Sequence, residues 1–487
     1  MFLAQLLALL SATVWAAEPE VPKTGPDFGM FRAPLPDPDG RMQSKWDYPA
    51  LRSGAPGGYG AAIPRTMQLL SQSTPQKRNK VRVLVYGQSL SKQSWAGRVR
   101  DELARRFPHA EIEFHNRSIG GFISSMLRRT LEHDVIPLYP DLIMLHDYGR
   151  EDDYEDLIRQ IRTRTTAEII VQTDPLTPGQ KVSWHNDHAV WMKGLAQRWG
   201  LELVDIRGAW IDYLADKNLS LEKLLMADKG HLNDQGNFVW AECTLQHFVV
   251  TPAAGPPTPA GEVVDLQVGS AVKWVKNALR TTFIGNRVDL VSLPGARGGV
   301  ATVRIDGQAP SQWPQLYTFT RPNADANQDW PWETGGIIRV DHQTPLLLED
   351  WTVLFTSVDA TGKIFSFDLS GSVTGLDGSG DTARAFVSHS KRVVFSPDDW
   401  FLERVQGRKA TQRIGPGYKI VFSVKGHFSD TFIEPGCVDP ARSCTTTIVQ
   451  GLPGGKHTIE LMSTGTTQPQ LLAVRIYRPM SDLVSSP

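Results

Sequence analysis

The sequence predicts a three-layer α/β/α parallel-sheet domain followed by an all-β sandwich domain. Three observations lead there. Between Lys80 and Val250, short apolar runs rich in β-branched residues alternate with helical patterns, the signature of a parallel sheet covered on both faces. From residue 262 to about 480 the helix signal vanishes, and short alternating runs are punctuated by Gly, Pro and Asn, as in sandwiches. Between the two, TPAAGPPTPAG at residues 251–261 has nothing to bury and reads as a linker. A length of 487 residues leaves room for about three units of roughly 150 residues.

Before the first domain the chain opens on MFLAQLLALLSATVWAA, an apolar run of leader length followed by small residues. Val14 and Ala16 suit cleavage after Ala16, so residues 1–16 are expected to be a signal peptide and the mature protein to be secreted or periplasmic. The only positive charge ahead of the run is the α-amino group, and no Cys stands at the cleavage point to take a lipid. Residues 17–79 are rich in Pro, Gly and Ser and read as an extended arm, packed through Trp46, Tyr48 and Leu51.

Within residues 80–250, VRVLVY forms the first strand and stops at Gly87. SWAGRVRDELARRF then spaces Trp95, Val99 and Leu103 as a helix ended by Pro108. AEIEFHN and PDLIMLH are the next strands. EDDYEDLIRQIRTR is a helix with acids in its first turn and arginines in its last, which complements the helix dipole. AEIIVQT, the helix HAVWMKGLAQRWG and the strand LELVDI follow. Beyond the linker, RVDLVSL, ATVRIDG, WTVLFTSVD, KIFSFDL, RVVFS, YKIVFSVKG, HTIELMS and LLAVRIYRP supply the strands. That segment is long for one sandwich, so it holds either large insertions or two small β units.

Composition removes whole classes of function. The 51 Lys and Arg against 52 Asp and Glu give no excess of cations for neutralising a phosphate backbone, so a nucleic-acid partner is not expected. No stretch is apolar for the length that a membrane span needs. Of three cysteines, Cys437 and Cys444 lie close in CVDPARSC, where a bridge would contribute about 2–3 kcal/mol. Cys243, in an apolar helical pattern, reads as a buried thiol.

Two places could carry chemistry. Gly87-Gln88-Ser89 ends the first strand ahead of a helix, and in an open parallel sheet ligands gather at such carboxyl ends. Asp228-Lys229-Gly230-His231-Leu232-Asn233 sets an Asp three residues before a His. Such an Asp can turn back to accept from the imidazole and favour its charged form. Taken together, and in this order, these stretches resemble the SGNH/GDSL hydrolase superfamily, over about 170 residues. Ser89 matches the nucleophile, Gly120 in SIGG the second block, and Asp228 with His231 the closing D-x-x-H.

Two departures stand out. Gln88 replaces the usual Asp of the first block, which is not the triad acid. The G-x-N-D block is missing after the third strand, where Leu145-His146-Asp147-Tyr148-Gly149 stands. The family's Asn donates to the oxyanion there, and losing one such donor typically costs about 3 kcal/mol. Either His146 or Tyr148 takes its place, or the backbone N–H groups of Ser89 and Gly120 act alone. The resemblance implies a two-step acyl transfer in which Ser89 attacks, His231 takes the proton and Asp228 holds the ring.

Other constellations read as structure. EDDYED is a first-turn acidic cluster rather than a glycosidase pair. Asp325-Ala-Asn327-Gln-Asp329 resembles a calcium loop but has Trp330 where Gly should follow. Trp313, Tyr317, Trp330 and Trp332 could form a sugar-binding row, though packing of a long insertion explains them too. Trp184 to His188, WHNDH, offers two histidines and no third ligand. No metal or organic cofactor is implied. The expected function is a secreted serine esterase removing O-acyl groups, most simply O-acetyl, from a polysaccharide or oligosaccharide. The alternatives are a carbohydrate O-acyltransferase with the same triad, and a non-catalytic carbohydrate-binding protein with a degenerate hydrolase domain.

Overall fold

A computed structural model of the chain describes residues 48–52, 58–178, 182–250, 261–325, 336–402, 414–436 and 442–480. The expected leader, Trp46, linker residues 251–260, Asn327 to Trp332 and Cys437 lie outside the described residues. No helix among those described is long and apolar enough to cross a membrane.

Strands β1 (Lys80–Gly87), β2 (Glu111–Asn116), β3 (Leu142–His146), β4 (Glu168–Gln172) and β5 (Glu202–Val204) form one parallel sheet in the order β2-β1-β3-β4-β5. Alternate residues of β1 enter two separate cores. Val81, Val83 and Val85 pack with helices α1 (Pro64–Ser71), α2 (Trp95–Arg106), α6 (Ile206–Asp216) and α7 (Asp234–Leu245). Leu84 and Tyr86 pack with α3 (Ser124–Asp134), α4 (Glu151–Arg164) and α5 (Val182–Trp199). Burial on both faces is why the strands read as continuous apolar runs. Because β2 and β3 flank β1 on opposite sides, the chain reverses direction across the sheet at the end of β1, and the crevice of the fold opens there.

Helix α1 is a departure from the extended arm expected over residues 17–79. Pro64 begins it, and Met67 and Leu70 are buried in the first core. The orphan N–H groups at its start are met by buried carboxylates from distant strands. Glu168 accepts from Arg65 N (2.8 Å) and Thr66 N (2.7 Å) in the helix's first turn, and Glu202 accepts from Gly60 N (2.8 Å) and Ala62 N (3.0 Å) in the turn just ahead of it. Unsatisfied helix N-termini favour negative charge, so these two acids fasten the arm to the amino edge of β4 and β5.

The carboxyl-terminal region is two β units, the second inserted into the first. In the first, a four-stranded sheet (Thr445–Gln450, Arg287–Ser292, Leu471–Arg478, Glu262–Gln267) faces a five-stranded one (Thr431–Ile433, Val300–Ile305, Lys456–Ser463, Ala278–Ile284, Trp274–Val275). Leu290, Val474 and Ile476 share a core with Leu279, Val303 and Leu461. The second unit spans Tyr317 to Gly426 and centres on a six-stranded antiparallel sheet. Its core is aromatic, with Trp351, Phe355, Phe365, Phe367 and Phe395 buried together. Cys444 is disulfide-bonded, and Cys243 is a free buried thiol whose pKa burial pushes up to about 12.

Candidate active site

Gly87 brings β1 past β3 so closely that a Cβ on it would lie 1.9 Å from the His146 carbonyl oxygen, at a φ of +150°. Only glycine fits that approach. The chain then turns into a short 3-10 helix, Ser89–Lys92, capped by the Gln88 side chain, whose Oε1 accepts from Leu90 N at 3.3 Å. The turn sets Ser89 at the carboxyl edge of the sheet with its own N–H at the helix's open end.

The second loop is shaped from within. Asp228 Oδ1 accepts from Gly230 N and His231 N, both at 2.9 Å, while Lys229 takes a φ of +57°. Asp228 Oδ2 lies 2.7 Å from His231 Nδ1, and His231 Nε2 lies 3.1 Å from Ser89 Oγ. Burial alone would raise the Asp228 carboxyl, but the backbone N–H groups of His231 and Gly230 and the His231 ring hold it below its ordinary value. With Nδ1 donating to a carboxylate, Nε2 carries the lone pair that can accept the serine proton.

Gln93, just past the 3-10 turn, clamps the histidine loop to the serine loop. Its Nε2 donates to Leu232 O at 3.0 Å, and its Oε1 accepts from Leu232 N at 3.1 Å. Asn237 in α7 closes the same junction, accepting from Trp95 N at 3.0 Å and donating to Leu232 O at 3.2 Å. Both partners lie far from Leu232 or Trp95 along the chain or inside another helix, so no local motif marked them.

A buried chain runs from Ser89 across the strand ends. Ser89 Oγ lies 2.8 Å from Gln88 Oε1, Gln88 Nε2 lies 3.1 Å from His146 Nδ1, and His146 Nε2 lies 2.9 Å from Asp174 Oδ1. Asp174 Oδ2 reaches His185 Nδ1 at 3.1 Å. Burial works to raise the Asp174 carboxyl, and its bonds to His146 and His185 reverse that and hold it far below the carboxylate range. These contacts bear on one of the three alternatives for the missing Asn. His146 is fully buried with both ring nitrogens engaged, so it has no donor left for an oxyanion and instead orients Gln88. Tyr148 is half-buried, and burial, with Asp174 and Asp147, pushes its phenol up to about 12.

Gly120 is buried beside the serine corner, where Ile119 N donates to Gly87 O at 2.9 Å. Neither Ser89 N–H nor Gly120 N–H has an acceptor among the described residues. Backbone donors of this kind near a serine hydroxyl are the type of group that can meet a developing oxyanion.

The remaining candidates have structural partners. Glu151, Asp152 and Asp153 occupy the first turn of α4, with Asp153 paired to Arg128 at 3.1 Å. Tyr317 OH donates to Ser311 O at 2.8 Å and its ring packs on Phe428, while Trp313 meets His457 edge-on. Among the described residues no group of three or more His, Cys, Asp or Glu is placed to hold a metal ion. A cavity of about 470 Å³ opens where the α/β domain meets both β units, lined by Glu132, Tyr139, Arg164, Tyr317 and His427, away from Ser89.

Residues 84–237 match the GDSL-like lipase/acylhydrolase family, a span holding Ser89, Gly120, Asp228 and His231. No curated protein matches the chain. Among solved structures, the chain is similar to a catalytic mutant of an acetylxylan esterase from Geobacillus stearothermophilus, at 19% identity over 34% of this chain and 94% of that one (TM-score 0.32). An α/β hydrolase from the metagenome of Lake Arreo, Spain, is 19% identical over 34% of this chain and 94% of its own (TM-score 0.31). A two-domain esterase active on acetylated mannans is 13% identical over 87% of this chain and 96% of its own (TM-score 0.35).

Proposed function

With residues 84–237 a GDSL-like acylhydrolase segment, we propose that the protein is an exported serine esterase that removes O-acyl groups, most simply O-acetyl, from a carbohydrate. The observation that carries the reading is the continuous chain Asp228–His231–Ser89, with contacts of 2.7 and 3.1 Å. Ser89 Oγ attacks the ester carbonyl as its proton passes to His231 Nε2, and Asp228 steadies the imidazolium. The oxyanion is met by the N–H groups of Ser89 and Gly120. His231 then returns the proton to the departing sugar hydroxyl, leaving an acyl group on Ser89. Water, deprotonated by the same imidazole, releases the acid.

Two features support a carbohydrate substrate: the leader expected at residues 1–16 and the two β units appended to the catalytic domain. The site is also open, with the side chains of His231 and Asp228 31% and 26% exposed, so an ester projecting from a polymer can reach it. Ser89→Ala should lower p-nitrophenyl acetate hydrolysis by at least about 10³-fold, as loss of a triad nucleophile does. Unchanged turnover would sink the reading and leave the non-catalytic one. Measuring free acetate against acetyl groups moved to an added acceptor sugar separates esterase from acyltransferase.

A further inference from the structure

Helix α5 begins beside the site with an unusual arrangement of rings. Trp184 is 42% exposed. Its indole lies parallel to His188, with centroids 5.1 Å apart and planes at 5°. His188 in turn stacks on Trp191 at 5.2 Å and 19°, and Trp191 meets buried Tyr154 edge-on at 5.8 Å. Positions 184, 188 and 191 share one helix face, so the rings form a column rooted in the core whose outer end is Trp184. His185 braces the indole from the side, perpendicular at 4.8 Å. Burial pushes the His188 pKa down, which keeps the middle ring neutral.

An indole left in water forgoes the burial of up to about 200 Å² of largely apolar surface. Here the backing column prevents it from folding inward, and its outer face meets no other ring among the described residues. Its address is specific. His185, the next residue, ends the hydrogen-bonded chain from Ser89 through Gln88, His146 and Asp174. Ser89 follows β1 and Asp174 follows β4, and only β3 lies between those strands. Asp174 therefore stands at the same carboxyl edge as Ser89, two strand spacings or roughly 10 Å across, and the platform adjoins its partner His185.

We propose that Trp184 is a stacking platform for a pyranose ring, holding a sugar one or two residues away from the acylated one. The C–H face of a pyranose is apolar and flat enough to lie on an indole, and a rigid ring loses little conformational entropy on binding. The substrate is then an oligosaccharide or polysaccharide rather than an acylated monosaccharide. This inference rests on the esterase reading of Ser89 and assigns that site its substrate size.

The test compares acetylated xylo-, manno- and cello-tetraose, an acetylated monosaccharide and p-nitrophenyl acetate on wild type, Trp184→Ala, Trp184→Phe and Ser89→Ala. Trp184→Ala is expected to lose about tenfold in kcat/KM on the best tetraose, through KM, while p-nitrophenyl acetate turnover stays within about twofold. Trp184→Phe should restore most of the loss. The proposal is overturned if wild type prefers the monosaccharide or turns over none of the tetraoses. It also fails if Trp184→Ala leaves the tetraose unaffected, or if tetraose and p-nitrophenyl acetate fall together. Activity surviving in Ser89→Ala would instead remove the esterase reading itself.

Discussion

The two β units meet the α/β domain through different chemistry and at different distances from Ser89. The first docks below the sheet through a buried polar knot. Arg287 pairs with Asp289 at 2.8 Å and lies over the rings of Tyr139 and Tyr477, while Tyr139 OH donates to Asn286 at 2.7 Å. Gln450 Nε2 adds bonds to the carbonyls of Ile136 and Pro137 at 3.2 and 3.0 Å. The second unit lies along α3 and reaches the loop that carries Gly120. Arg321 donates to the buried Asp134 at 2.7 Å and to the Arg117 carbonyl at 2.9 Å. Phe401 packs edge-on against Phe122 at 5.1 Å. Arg129 pairs with Asp399, and Ile338 joins the core beneath α3. On the proposed mechanism, an appended unit can therefore serve as ballast or as a brace, depending on whether its contacts touch a segment to which that mechanism gives a role.

That contrast predicts stability and turnover effects that rank in opposite orders. The largest stability loss is expected from Asp289→Ala. Asp289 is buried, and Arg287 and Tyr477 both depend on it. Removing one partner of a buried pair leaves a charge unmatched, at about 3–5 kcal/mol. Chemical denaturation should show this loss, while kcat of the remaining folded enzyme stays within about twofold of wild type. A kcat collapse there would erase the distinction between the units.

Arg321→Ala comes next. It removes the closer partner of the buried Asp134, which keeps Arg117 at 3.9 Å, and frees the Arg117 carbonyl three residues before Gly120, so a loss of about 2–3 kcal/mol should accompany a fall of about tenfold in kcat, since small displacements of positioning groups cost rate. A stability loss with unaltered kcat would reduce the second unit to ballast. The smallest stability effect is expected from Asp228→Ala, because its partly exposed carboxylate is screened and contributes under about 1 kcal/mol. Its folded pKa lies below the unfolded value near 3.9. The contribution is therefore present above pH ~4 and disappears as pH falls through the lowered folded value, so the variant and wild type should converge in acid. Its kcat should nonetheless fall about 10⁴-fold, the largest activity loss of the three.

Much of the catalytic half was legible. Strand and helix periods are written within a few residues of each other, so β1 to β5, α2, α4 and most of α5 follow from the sequence. The Asp228 turn needs only its own loop. The misses share a cause. Helix α1 is stabilised at its start by Glu168 and Glu202, 103 and 142 residues from the amides they accept, and its own residues carry no capping side chain. His146 is one of three alternatives that the sequence leaves open for the missing Asn, and its contacts are set by Gln88 on one side and Asp174 on the other, which no local pattern shows.

The sequence alone determined the parallel-sheet domain, the serine corner fixed by Gly87, the self-built Asp228–His231 loop and the switch to β structure after the linker. Each is decided by periodicity, turn geometry or capping, whose range is a single element. Only the tertiary structure decided that Gln93 locks the two loops together, that His146 serves Gln88, that Trp184 stands exposed at the end of a ring column, and that one β unit is threaded into the other. Those outcomes depend on which side chains meet across the sheet ends. Such meetings are fixed by the packing of whole strands and helices, and a linear pattern carries no record of them.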